Sequence, residues 1–441
     1  MERIGRIGSI LLFVGLFVWG LPTTNAAAVQ NEFSLKQCID LALQKNVGVI
    51  SADNRYKQSK YNLLDAWANV LPTVSTSARY SYGRSFGKYY VPEYGIYVED
   101  PGTKSYSTGL SLSMTLFDGG STWFTIKQSS LERTSSRNEL RQTIMSTAYS
   151  VKQAYYGLVQ AVLLKKVQED ALARSKKQLE VTTSKYDLGS ASLSEKLKAQ
   201  VNVARDSVSL LQRDNDIKNA EFNLNLLLNR DVTMPMVPVD TLGQVAFTLS
   251  LEQCVETALA DNPSLKKSDA DYDAARVAVW NAKSSWVPRV GASLGWGWNS
   301  RTAGDWFKYR YENGSYSFGI NLSYSIFDGF RKKTNYSRAR LAEATQRESH
   351  DADRNNLVYQ VKQAYLDIET ARLQYQAAQL AEQSAQEDMK LQSERYRLGA
   401  SSILELLDAQ YSLTNAQYSR IQSLYQLNLA VASMAKAMGR M

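Results

Sequence analysis

Few side chains in this sequence are equipped to make or break bonds. The 441 residues contain one histidine, His350, and two cysteines, Cys38 and Cys254, so multi-histidine metal centres, Cys/His zinc sites and disulfide scaffolds lack their ligands. The sequence has no Ser/His/Asp set, glycine-rich phosphate loop or cluster of metal ligands, which makes an enzyme the weakest functional class; no cofactor is implied. His350 stands in a charged helical stretch and reads as an exposed side chain. The cysteines occupy matching places in two apolar-periodic helix starts, where Cys behaves as a small buried hydrophobe. A disulfide between them stays open, because sequence does not supply their separation. Glu405 and Asp408, taken alone, read as a solvated helix face or as members of intrahelical ion pairs. The formal charge is +8, but bases and acids are interspersed along the helical stretches, as on coiled-coil surfaces, rather than gathered for nucleic acid.

If the chain has no reaction to catalyse, its function must lie in its architecture. Arg3 and Arg6 precede an uncharged apolar run from Ile7 to Leu21, followed by Pro22 and the small residues Ala26, Ala27 and Ala28. Residues 1–28 therefore read as a cleaved export signal. The run is short of the roughly 20 residues a spanning helix needs, and no cysteine near it offers a lipid anchor. No later run is long and apolar enough to span as a helix, so a bilayer-embedded portion must use strands.

The chain is duplicated. Phe33-Ser34-Leu35-Lys36-Gln37-Cys38 returns as Leu249-Ser250-Leu251-Glu252-Gln253-Cys254, displaced by 216 positions, and Val151-Lys152-Gln153-Ala154-Tyr155 returns unchanged at Val361-Lys362-Gln363-Ala364-Tyr365, displaced by 210. This predicts a first unit, 29–230, holding a helix, a β-hairpin at 73–118 and a long helical hairpin at 120–230. The second unit, 249–441, repeats that order with a β-hairpin at 289–328 and a helical hairpin at 330–438. The proline- and glycine-bearing stretch 231–248 links them.

Within each β-hairpin the residues alternate strictly. Val74, Thr76, Ala78, Tyr80 and Tyr82 alternate with serines and Arg79, and Leu110, Leu112, Met114 and Leu116 with Ser111, Ser113 and Thr115. The second copy repeats this at Val290, Ala292, Leu294, Trp296 and Trp298, then at Phe318, Ile320, Leu322, Tyr324 and Ile326. Such segments can face lipid on one side and water on the other, with Tyr80, Tyr82, Trp296 and Trp298 forming an interfacial girdle. Four strands cannot close a transmembrane barrel, since about eight is the lower limit, so several chains must contribute. Residues 84–107 and 300–315 then become external loops.

The fold class is mainly α with a small β part. Proline-free stretches at 121–186 and 331–396 are predicted as helices of about 65 residues, rods near 100 Å long. These need coiled-coil partners, supplied by helices at 193–229, 403–438, 35–69 and 251–285. Each rod ends in a glycine-capped turn, Tyr186-Asp187-Leu188-Gly189-Ser190-Ala191 and Tyr396-Arg397-Leu398-Gly399-Ala400-Ser401, at the end remote from the strands.

In combination these features resemble the TolC family of outer-membrane channels over residues 33–439. The pieces that carry the resemblance are the Ser-Leu-x-x-Cys starts at Ser34 and Ser250, Phe-Asp-Gly at Phe117 and Phe327, the Tyr-x-x-Gly turns, and Ile403-Leu404-Glu405-Leu406-Leu407-Asp408-Ala409-Gln410. The resemblance implies a homotrimer in a Gram-negative-type outer membrane, with a twelve-stranded β-barrel continued by a trimeric α-barrel across the periplasm. It implies two further partners, a periplasmic adaptor (membrane fusion) protein and an inner-membrane RND or ABC transporter that supplies the energy. Leu188, Gly189, Ser190, Leu398, Gly399 and Ala400 become the adaptor-facing tips. Glu405, Asp408 and the first-copy counterpart Glu195 become an acidic ring at the periplasmic entrance. Tyr396 and Tyr186 become gate contacts. Ser401 replaces an arginine that latches some members, with Lys198 or Arg397 as substitutes. The rival reading is a non-conducting trimeric spacer spanning the periplasm.

Overall fold

The computed structural model describes residues 32–100, 102–309 and 311–440; the export signal expected at 1–28 lies outside them. The first repeat opens with β1 (Glu32–Phe33), α1 (Leu35–Lys45) and α2 (Val47–Ala68). It continues through β2 (Thr73–Gly83), β3 (Lys88–Val91), β4 (Ile96–Glu99) and β5 (Thr103–Phe117) to α3 (Ser121–Asp187) and α4 (Leu193–Leu227). After β6 (Val237–Pro238), the second repeat follows as α5 (Leu251–Asp261), α6 (Pro263–Ser284), β7 (Arg289–Ser300), β8 (Gly314–Ser323), α7 (Arg331–Arg397) and α8 (Ile403–Ala437). The two longest helices have 67 residues each, about 100 Å at 1.5 Å per residue. Among the described residues no helix is long and apolar enough to cross a membrane.

Two expectations need correction. The helices foreseen as continuous over 35–69 and 251–285 are each broken in two by an asparagine. Asn46 and Asn262 are extended (φ/ψ −66°/126° and −64°/121°), closing one helix and capping the next. Their Oδ1 atoms accept from Gly48 N and Ser264 N, and their Nδ2 atoms donate to Leu227 O and Ala437 O, so each elbow is tied to the far end of its own repeat. Pro263 bars a helical conformation at Asn262. The second difference lies in the external loop at 84–107, where β5 already begins at Thr103 and β3 pairs with β4 as a separate hairpin. Conversely, β8 ends at Ser323, leaving Tyr324 and Ile326 beyond it.

The duplication is visible in the cores. Cys38, Val151, Ala154, Leu158, Leu224 and Leu228 pack together in one repeat. Their counterparts Cys254, Val361, Ala364, Ile368, Met434 and Met438 do so in the other. Both cysteines are buried and free, and burial pushes the Cys38 thiol up to about 12. Beside the first core, Tyr155 donates from its phenol to Phe33 O at 2.9 Å and accepts from Asp240 N at 3.1 Å, fastening the inter-repeat linker to α3. Parallel pairing of β1 with β6 closes the same junction.

The main sheet has the order β2-β5-β7-β8, antiparallel throughout. Its register sorts the side chains by polarity. Val74, Leu112, Leu294 and Phe318 lie abreast, as do Thr76, Leu110, Trp296 and Tyr316; the rows between read Ser75, Ser111, Gly295 and Ser317. A slip of one residue would reverse the faces. Among the described residues, the outer edges of β2 and β8 are unpaired.

The helices form a wall beside this sheet. Near the strands the lateral order is α2-α3-α6-α7, and toward the turns it is α4-α3-α8-α7, with α1 and α5 packed on α3 and α7. The free lateral edges, α4 and α7, carry exposed apolar residues. On α7 these are Tyr359, Leu366, Leu373 and Leu380, at seven-residue steps.

Candidate functional site

The two turns are built alike. Gly189 and Gly399 hold φ of +73° and +76°, the left-handed cap that glycine adopts without strain. Ser190 N and Ala400 N donate back to Lys185 O and Arg395 O, both at 2.8 Å. Ser192 and Ser402 then cap α4 and α8 by accepting from Glu195 N and Glu405 N. Leu188 and Leu398 stand exposed at the two apices.

Their tyrosines differ. Tyr396 is buried at 6% exposure with Ile403 and Leu406 against it, whereas Tyr186 is 37% exposed. The Tyr396 phenol lies 3.5 Å from Thr182 Oγ1. Lys185 donates to Tyr396 O at 2.9 Å and sets its ammonium 4.2 Å from the ring centroid. Tyr396 thereby pins the α7–α8 hairpin to α3. Tyr186 lies under the ammonium of Lys196, in its own hairpin, at 4.9 Å. Arg397 is turned toward Glu394, 3.0 Å away on the same helix. Lys185 and Thr182 were absent from the residues singled out by sequence; nothing but the spatial pairing of α3 with α7 marks them.

Glu405 and Asp408 are exposed, one turn apart on α8. Ser401, expected at a latch position, donates to Glu405 Oε2 at 2.5 Å. Glu195 is half-buried, with Ser192 Oγ 3.5 Å from its carboxylate. Asp408 and Lys198 face a shared groove of about 1040 Å³, whose apolar lining includes Leu197, Val201, Leu404 and Tyr411. The structure thus brings Lys198 to Asp408's groove and keeps Arg397 out of it.

Deeper along the rods, α3, α4 and α8 meet in a polar seam. Ser175 bonds Asp206 and accepts from Asn202 Nδ2, Gln168 Nε2 donates to Asp206 O, and the Tyr418 phenol donates to Gln168 Oε1. Arg174 Nη2 reaches Thr414 Oγ1 at 3.3 Å, and burial lowers the pKa of its guanidinium. Such networks are costly when incomplete and position the helices when satisfied. Polar residues at core positions gave no periodicity to read, so the sequence did not reveal the seam.

His350 is less exposed than expected. Its Nε2 lies 2.7 Å from Asp269 Oδ1 on α6 and its Nδ1 3.3 Å from Asp351 Oδ1, and the ring stacks on Tyr272. Among the described residues no group of His, Cys, Asp and Glu could hold a metal ion.

Long paired rods, a sheet with one apolar and one polar face, and this doubled layout form a testable pattern. The family model described as outer membrane efflux protein matches residues 38–230 and 254–440, nearly the whole of both repeats. The chain belongs to that family. Protein CyaE of Bordetella pertussis is 24% identical over 416 residues, covering 93% of this chain and 85% of CyaE. Outer membrane efflux protein BepC of Brucella suis is 22% identical over 337 residues, 76% of this chain and 72% of BepC. The Campylobacter jejuni CmeC outer membrane channel superposes with a TM-score of 0.81 at 20% identity, covering 92% of this chain and 85% of that one. VceC from Vibrio cholerae gives 0.81 at 16% identity, with 92% and 96% covered. As an outer membrane efflux protein, this chain resides in the outer membrane, its helical portion in the periplasm.

Proposed function

We propose that three copies of the chain close into a passive exit duct that catalyses no reaction. Three β2-β5-β7-β8 sheets, joined β8 to β2, give twelve strands, and three helical walls, joined α7 to α4, continue the tube through the periplasm. The observation that carries this reading is the cross-strand register: the Val74-Leu112-Leu294-Phe318 row is apolar across all four strands, Met114, Ala292 and Ile320 extend the same face across three, and among the described residues the sheet ends at two unpaired edges. Unpaired backbone groups are not tolerated in lipid, so those edges need neighbours. The heptad stripe on α7 and the exposed Leu197, Val201, Val208 and Leu211 on α4 offer the matching helical seam.

The turns at Leu188-Gly189-Ser190 and Leu398-Gly399-Ala400 are the ends that a periplasmic adaptor engages, and an inner-membrane RND or ABC transporter supplies the energy. A relative, TtgC of Pseudomonas putida, is named a probable efflux pump outer membrane protein. Glu405 and Asp408, three of each, form a cation-attracting ring at the entrance. Tyr396, held by Thr182 and Lys185, is the contact that keeps the entrance narrow. Residues 1–28 are the export signal, and 231–248 joins the repeats in the band around the tube.

The test is single-channel recording of the purified chain in planar bilayers. A stable, cation-preferring conductance is expected, and Glu405→Ala with Asp408→Ala should reduce the preference. A trimer that conducts nothing would make the chain a spacer instead.

A further inference from the structure

The two repeats enter their long helices with different charge. In residues 118–132, at the start of α3, Lys127 stands against Asp118 and Glu132; in the matching residues 328–342, Arg331, Lys332, Lys333, Arg338 and Arg340 stand against Asp328 alone. The interspersed charge of the helices elsewhere fails here. Three cations in the first turn oppose the dipole of α7. Among the described residues, none of the five has a carboxylate within ion-pair distance. Their hydrogen bonds go to neutral acceptors: Arg331 Nε to Asp328 O at 3.0 Å, Lys332 Nζ to Ser325 O at 2.6 Å and Arg338 Nη2 to Asn335 Oδ1 at 2.6 Å. The Asp328 carboxylate is already occupied in capping α7, accepting from Lys332 N at 2.9 Å.

Location gives this charge a meaning. Arg331 follows the end of β8 by eight residues, so the cluster lies at the helical end of the apolar sheet face. Aromatic rings surround it. Lys332 sits 4.6 Å from the Tyr324 centroid, and Lys283 sits 4.3 Å from Trp280 and 5.7 Å from Tyr336. Trp286 packs edge-on against Tyr336, and Phe327 against Phe330. Rings interleaved with long cationic side chains suit the boundary between acyl chains and headgroups. Tyr336 faces Lys283 of α6, and at 100° per residue Arg331 and Arg338 lie on one flank of α7 and Lys333 and Arg340 on the opposite flank. All four flanking cations are exposed. In a wall one helix thick, one flank faces outward and the other faces the lumen.

We propose that this basic and aromatic collar binds the phosphate headgroups of anionic phospholipid in the leaflet nearest the helices, through the outward flank of α7. The proposal rests on the outer-membrane reading above. It is tested with the full-length trimer in detergent, titrated with phosphatidylglycerol or phosphatidylethanolamine and read by native mass spectrometry. The wild type should prefer the anionic lipid at least tenfold. One of the paired variants, Arg331→Gln/Arg338→Gln or Lys333→Gln/Arg340→Gln, should lose that preference while the other keeps it. A wild type without preference, or two paired variants that both retain it, would overturn the proposal. Displacement of the lipid by inorganic phosphate at equal concentration would identify a free-phosphate site and overturn the lipid assignment. Should a variant fail to trimerise, raising salt to about 0.5 M should erase the wild-type preference, and a preference that survives counts against the collar. Planar-bilayer current from the same preparation separates the two claims: a conducting trimer without lipid preference removes only the collar.

Discussion

The turns after α3 and α7 have the same backbone, the same glycine cap and the same serine start to the next helix, yet one tyrosine is locked between hairpins and the other lies on the surface. The cores of the repeats, by contrast, share six corresponding positions, from Cys38 and Cys254 to Leu228 and Met438. Duplication thus preserved what each unit needs in order to fold, while the outward contacts diverged. Tyr396 touches Thr182 and Lys185 of α3, whereas Tyr186 lies against Lys196 of its own hairpin.

The largest predicted difference comes from removing each ring. Tyr396→Ala empties a buried site, which costs about 3–4 kcal/mol locally for a large aromatic, and should raise single-channel conductance several-fold. Tyr186→Ala should cost about 0.5 kcal/mol and leave conductance near wild type. Equal effects at the two positions would erase the distinction between the turns.

The polar seam extends the contrast, since it ties α4 to α8 across α3. Asp206→Ala strands Ser175 and should lower stability by about 1–3 kcal/mol, seen as a reduced thermal midpoint of the trimer. The elbows sharpen it from the other side, because Asn46 and Asn262 do the same work in both repeats. Replacing either with Ala should cost about 1 kcal/mol, and the two losses should be alike.

His350 predicts the smallest effect. Burial pulls its pKa down, but the hydrogen bonds to Asp269 and Asp351 more than offset this, and the folded-state value is raised. A raised value means a stabilisation fully present below the unfolded pKa of about 6.5, lost as pH climbs through the folded value. The charges around it are Asp269 and Asp351, with Arg276 over Tyr272 and Asp353 bonded to Ser268. The thermal midpoint should therefore fall slightly from pH 6 toward pH 8 in the wild type, and His350→Gln should flatten that slope.

Periodicity made most of the fold legible. Alternation at 74–82 and 318–322 and the proline-free rods required no tertiary knowledge. The elbow at Asn262-Pro263 was also written in the sequence, and the 216-residue repeat carries it to Asn46, where no proline marks it. The site was harder to read. Glu405, Asp408 and Tyr396 came from a resemblance, while Lys185 and Thr182 depend on α3 meeting α7 more than 200 residues away in sequence. The seam of Gln168, Ser175, Asn202 and Asp206 escaped because buried polar residues imitate a solvated helix face.

The central claim is that the sheet's apolar rows meet lipid and its serine and glycine rows meet water. Single cysteines placed in turn at 317 through 322, with the buried Cys38 and Cys254 replaced by Ala, measure this directly in reconstituted trimers. An aqueous thiol reagent should reach positions 317, 319 and 321, and a lipid-soluble quencher should reach 318, 320 and 322. Uniform labelling along β8 by the aqueous reagent would contradict the account.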